Sequence, residues 1–173
     1  MHTCIESAIG NLPIDSISES ELPEADYYAL GHLHVDYNEG KFVYAGPTFP
    51  NNFQELEELQ YGSFYIIDTD NFKAEKRVIK LKEIEVIELK ISDTLTATEK
   101  ILKEMTKIDL KDKIVLLKLY GSLEKGKTSN IDFREIENYA KEKQAYVLLK
   151  STSQLIFEEP EFNLEIDNVD KLE

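Results

Sequence analysis

The sequence predicts an α/β protein whose second half is a small two-layer βαβαβ unit. Three observations carry this. Residues 114–119 are a continuous strand-like run, apolar at every position but Lys118, the pattern of a strand covered on both faces. Leu95, Ile101, Leu102, Met105 and Ile108 fall on one helical stripe, with Asp93 or Thr94 available as N-cap. Asp132 followed by Glu135 opens a second helix in capping-box fashion, its buried face being Phe133, Ile136 and Tyr139 with Ala140.

The flanking strands come from residues 84–91 and 145–149. In the first, Ile84 and Val86 are in one phase and Ile87, Leu89 and Ile91 in the other, which suggests a bulge. Upstream the texture is different. Residues 4–12 read as a short helix ended by Gly10-Asn11 and Pro13, and residues 14–25 as a surface loop with a helical turn. Residues 26–31 read as a buried strand and Asn38-Glu39-Gly40 as a turn, with residues 41–44 as the return strand. Residues 46–52 hold two prolines and a glycine and read as an ordered loop. The acidic run Glu55-Leu56-Glu57-Glu58 reads as a solvated face. Residues 64–68 and 76–81 form a hairpin about Thr69-Asp70-Asn71. The expected divisions are residues 1–83, residues 84–157, and an acidic linker or tail over residues 158–173.

The net charge of −14 is uneven. Residues 1–60 carry eleven acids against Lys41 alone, whereas residues 61–150 carry sixteen acids and eighteen bases. A polyanion is repelled by the first segment, so charge argues against strong nucleic-acid binding by this chain alone. An acidic surround suits a bound cation instead. No apolar run reaches the roughly 18–20 residues of a membrane span, and the start has no signal-peptide pattern. Cys4 is the single cysteine, so an internal disulfide is excluded and a reducing, cytoplasmic setting is expected. A packed thiol is the simpler role for Cys4, with soft metal ligation beside His2 as the alternative.

The chain has three histidines, His2, His32 and His34. The last two stand in Ala29-Leu30-Gly31-His32-Leu33-His34, an apolar run, a glycine and then a His-x-His pair. On extended backbone, side chains two apart point the same way, so both imidazoles can face one cavity. The glycine gives the backbone freedom to turn just before them. Imidazole is the commonest metal ligand. The bland alternative is a surface or core pair with no ligand.

Leu30-Gly31-His32-Leu33-His34 resembles the closing metal motif of the calcineurin-like metallophosphoesterases. The wider stretch from Ala25 to His34, followed by Val43-Tyr44-Ala45-Gly46-Pro47, is similar to one branch, the double-strand-break repair nucleases of the archaeal meiotic-recombination-eleven and bacterial SbcD type. His2 stands where that branch has a spaced strand-end histidine. The resemblance covers roughly residues 1–157. It implies a portion of a metallophosphoesterase αββα β-sandwich over residues 1–83, then an α/β capping domain over 84–157.

The resemblance also implies chemistry. Family members use two metal ions, usually Mn2+, bridged by a carboxylate. His34 would help hold one ion, and His2 with His32 the other. Tyr44 and Gly46 would belong to a loop near the DNA path or serve structurally. Lys73, Lys76, Arg77, Lys125 and Lys127 would be at most phosphate neighbours. Implied partners are DNA, an SMC-like ABC ATPase, a second copy in the complete enzyme, and an N-terminal nuclease half.

The family's Asp-x-His pair, bridging Asp and Asn-His motif precede these elements and are not among the 173 residues. The chain therefore reads as the downstream portion of a nuclease, from a split gene or truncated reading frame, and inactive by itself. No catalytic residue is assigned within it. Two further readings stand beside this one: a non-catalytic capping and interaction module, or a different calcineurin-like phosphoesterase acting on small phosphate esters.

Overall fold

The computed structural model describes residues 1–157, and the expected acidic tail over residues 158–173 lies outside them. Within that span the molecule is mixed α/β and contains three sheets. A short helix, α1 (Glu6–Ile9), is followed by a 3-10 turn over Glu19–Glu21, whose start Ser18 and Glu21 close in capping-box fashion.

The first sheet joins β1 (Tyr28–Leu30), β2 (Tyr37–Glu39) and β3 (Phe42–Tyr44) in the order β1-β3-β2. The sequence reading needs correction here. The antiparallel partner of β3 is β2, from a segment expected to be turn, while β1 runs parallel to β3. The turn itself falls at Gly40 and Lys41. Parallel pairing needs a crossover, and the stretch carrying both histidines, together with β2, supplies it. Ile5, Leu22, Tyr28, Leu30 and Tyr44 form the core under this sheet.

The acidic run is a second correction. Asn52 caps a helix, α2 (Phe53–Leu59), by accepting from the Glu55 backbone N–H at 2.9 Å. The expected hairpin follows as β4 (Gly62–Ile67) and β5 (Ala74–Ile79), with Asp68 accepting from the Asp70 N–H in the turn. Gly62 opens β4 because the chain passes close to the 46–52 loop. A Cβ there would sit 1.9 Å from the Thr48 carbonyl oxygen.

The third sheet is wholly parallel, with order β6-β7-β8: β6 (Ile84–Lys90), β7 (Ile114–Leu123) and β8 (Val147–Phe157). Its crossovers contain α3 (Ala97–Met105) and α4 (Phe133–Glu142), giving the expected βαβαβ order. Asp132 caps α4 by accepting from the Glu135 N–H at 3.0 Å. The bulge expected in the first strand is absent, since β6 pairs with β7 in unbroken register. Its two apolar phases have another cause: the sheet is covered on both faces. One face packs Ile87 and Leu89 with Ile101, Met105 and Ile136. The other packs Ile84, Val86, Ile114, Leu116 and Leu149 with Phe53 and Leu56 of α2. The register shift lies instead between β7 and β8, where β8 spends an extra residue between Ser151 and Gln154. Leu95, expected on the buried stripe, is exposed, because α3 begins two residues after it.

No helix among the described residues is long and apolar enough to cross a membrane.

Candidate metal-ligand site

The first three residues lie alongside the end of β1. The Gly31 N–H donates to the Met1 carbonyl at 2.8 Å, and the Thr3 N–H donates to the Gly31 carbonyl at 3.2 Å, a parallel bridge. Met1's ammonium donates to the Ala29 carbonyl. His2 is thus fixed beside Gly31, one residue before His32. The two rings meet edge to face, centroids 5.0 Å apart, with His2 Nε2 3.1 Å from His32 Nδ1.

Local backbone explains the glycine differently from the sequence reading. The residue with left-handed backbone is His32, at φ 98°, and Gly31 has no positive φ. Glycine at 31 makes room: a Cβ there would lie 3.2 Å from His2 Nδ1. A non-glycine residue at positive φ costs on the order of 1–3 kcal/mol, and such outliers concentrate where the side chain has work to do.

His34 does not join the pair. Its Nδ1 lies 2.7 Å from Glu55 Oε1, at the first turn of α2. Glu55 also accepts from the Asn51 backbone N–H at 3.1 Å and from Asn52 Nδ2 at 2.7 Å. The His34 contact and the Asn51 hydrogen bond hold the Glu55 carboxyl below its ordinary pKa.

Tyr44, Gly46, Lys76 and Arg77 make contacts within the chain. Tyr44 is fully buried, and its hydroxyl accepts from the Ile5 N–H at 3.0 Å while donating to the Thr3 carbonyl at 2.9 Å. It thereby braces the segment that follows His2. Gly46, at φ 69°, passes 3.3 Å (as a built Cβ) from the Val35 carbonyl, laying the 46–52 loop on the turn after His34. Lys76 pairs with Asp36 at 2.6 Å and Arg77 with Glu75 at 2.9 Å. Cys4 is a buried free thiol, as a packed residue should be.

Two imidazole nitrogens about 3 Å apart have the spacing of adjacent ligands on one ion with bonds near 2.0–2.1 Å. The pair fits two coordination positions. It does not fit a complete centre: no three His, Cys, Asp or Glu side chains converge among the described residues. Sequence reasoning missed Glu55, although Asn52 three residues before it was a readable helix-start signal.

No family model matches the chain. It is 25% identical over 134 residues to the DNA double-strand break repair protein Mre11 of Methanocaldococcus jannaschii. This chain resembles an Mre11-type protein. The matched stretch is 73% of the chain but 32% of the relative, so the chain spans about a third of the length of Mre11. The resemblance read from the Gly-His-x-His stretch and the similarity over 73% of the chain therefore point to the same kind of protein.

Proposed function

We propose that this chain is the downstream part of a Mn2+-dependent DNA double-strand-break repair nuclease. Residues 1–83 supply imidazole ligands to the metal centre, and residues 84–157 form the cap beside it. The observation that carries this reading is the meeting of His2 and His32 at 3.1 Å, from chain segments thirty residues apart. The strained backbone of His32 supports it, as does the similarity to Mre11.

In such a centre, His2 and His32 would help hold a divalent ion, which would supply polarisation of the phosphodiester and a lowered pKa for a bound water. This chain's share is narrower. His2 and His32 present paired neutral donors, Gly31 leaves room for them, and Tyr44 braces the segment behind His2. His34 presents a third imidazole, set apart from that pair. The carboxylates that complete the site, the duplex and an SMC-like ATPase are then partners to this chain.

The test is a nuclease assay on linear duplex DNA with Mn2+. The purified chain alone should be inactive, and a polypeptide bearing the upstream Asp-x-His, Asp and Asn-His motifs should restore cleavage. That cleavage should fall at least a hundredfold with a His2→Ala/His32→Ala double variant. Robust cleavage by the chain alone, or full activity in the double variant, would overturn the reading.

A further inference from the structure

We infer that Glu55 is a positioning residue for His34: it holds the imidazole with its proton on Nδ1, so that Nε2 stands as the free donor. This rests on the reading of His34 as a metal ligand in the proposed nuclease, and it adds the residue that sets that ligand's tautomer and aim.

The geometry is specific. His34 Nδ1 and Glu55 Oε1 are 2.7 Å apart, a charge-assisted distance. A carboxylate only accepts, so the shared proton belongs to Nδ1 and the other ring nitrogen is left with its lone pair. The Glu55 side chain is 15% exposed against 50% for His34, so the carboxylate is the anchored partner and the ring's far edge faces outward. Carboxylate-to-histidine hydrogen bonds of this kind fix ring orientation and raise ligand basicity.

The anchor reaches further. Glu55 lies in the first turn of α2, and the next residue, Leu56, is buried against Ile114 and Leu116 of β7. The residue after that, Glu57, pairs with Lys118 of the same strand at 2.7 Å. The aim of His34 is therefore tied, through a single turn of helix, to the α/β unit as well as to the sheet from which His34 emerges.

The experiment is 15N NMR of the imidazoles in the full chain at a pH where His34 is neutral. With three histidines, assignment is direct. Wild type should show Nδ1 protonated and Nε2 bare at His34. Glu55→Ala should shift the ring toward the Nε2–H form that free imidazole favours, and the near-isosteric Glu55→Gln should retain Nδ1–H through its carbonyl oxygen. Circular dichroism of both variants checks that α2 persists. An unchanged His34 tautomer in a folded Glu55→Ala chain would overturn the inference, as would loss of Nδ1–H in a folded Glu55→Gln.

A second arm separates the two readings. Paramagnetic Mn2+ should broaden His34 in wild type and do so at least threefold less in Glu55→Ala. If Mn2+ leaves wild-type His34 sharp while Glu55→Ala still switches the tautomer, ligation by His34 fails and the positioning by Glu55 stands.

Discussion

Leu56 of α2 sits among Ile114 and Leu116 of β7, about sixty residues later in the chain, and closes the sheet face that α3 and α4 leave open. A strand buried on both faces needs an apolar cover on each. Here the second cover comes from outside the βαβαβ unit.

Leu56→Ala should therefore destabilise the whole chain, not only α2. Leu56 is 4% exposed, and a large-to-small change at such a site costs about 2–5 kcal/mol. Denaturant melts followed by far-UV dichroism should show that loss. A change under about 0.5 kcal/mol would mean that α2 leaves this face in solution.

Tyr44→Phe should cost about 1–3 kcal/mol, because it leaves the buried Ile5 N–H and the Thr3 carbonyl without their partner. The effect should be local to the His2 segment. Amide exchange at residues 3–5 should quicken while exchange in β7 stays unchanged, and uniform acceleration would contradict the bracing role.

Tyr65 gives a pH dependence. Burial raises its phenol, and the hydrogen bond to Asp36 at 2.6 Å raises it further, to about 12. A folded pKa above the unfolded value near 10 favours the neutral phenol in the native state. Its contribution is complete below pH 10 and disappears as pH climbs from 10 to about 12. Thermal midpoints across that window should fall less steeply in Tyr65→Phe than in wild type. Parallel curves would contradict the assignment.

The parts of the fold legible in the sequence are those where one residue pattern admits one structure. Residues 114–119 are apolar at every position but Lys118, so they read as a central strand. Asp132 and Glu135 marked the start of α4 through a capping hydrogen bond that forms as expected. The misread elements are those whose meaning depends on a distant partner. Two apolar phases in β6 suggested a bulge because the second cover, Leu56, was hidden in an acidic run. The same run concealed Glu55, whose partner His34 is twenty-one residues away. The pairing of β1 with β3 was unreadable because strands of three residues encode no direction. His2 and His32 were legible as ligand types, but their meeting depends on the bridge between Met1–Thr3 and Gly31, which composition does not reveal.

His32→Gly separates strain from function. Glycine takes φ 98° without steric cost, so the variant should gain about 1 kcal/mol against the entropy glycine adds to the unfolded chain. Its urea midpoint should rise or hold while its response to Mn2+ is lost. A clearly destabilised variant would show that the His32 ring serves packing instead.

The most direct measurement is a Mn2+ titration of the full chain watched through the ring protons of its three histidines. The account predicts that His2 and His32 broaden together at the lowest metal concentration, and that Gly31→Ala, which crowds the His2 ring, weakens the response of both. Broadening of one without the other, or of neither before surface carboxylates respond, would contradict it.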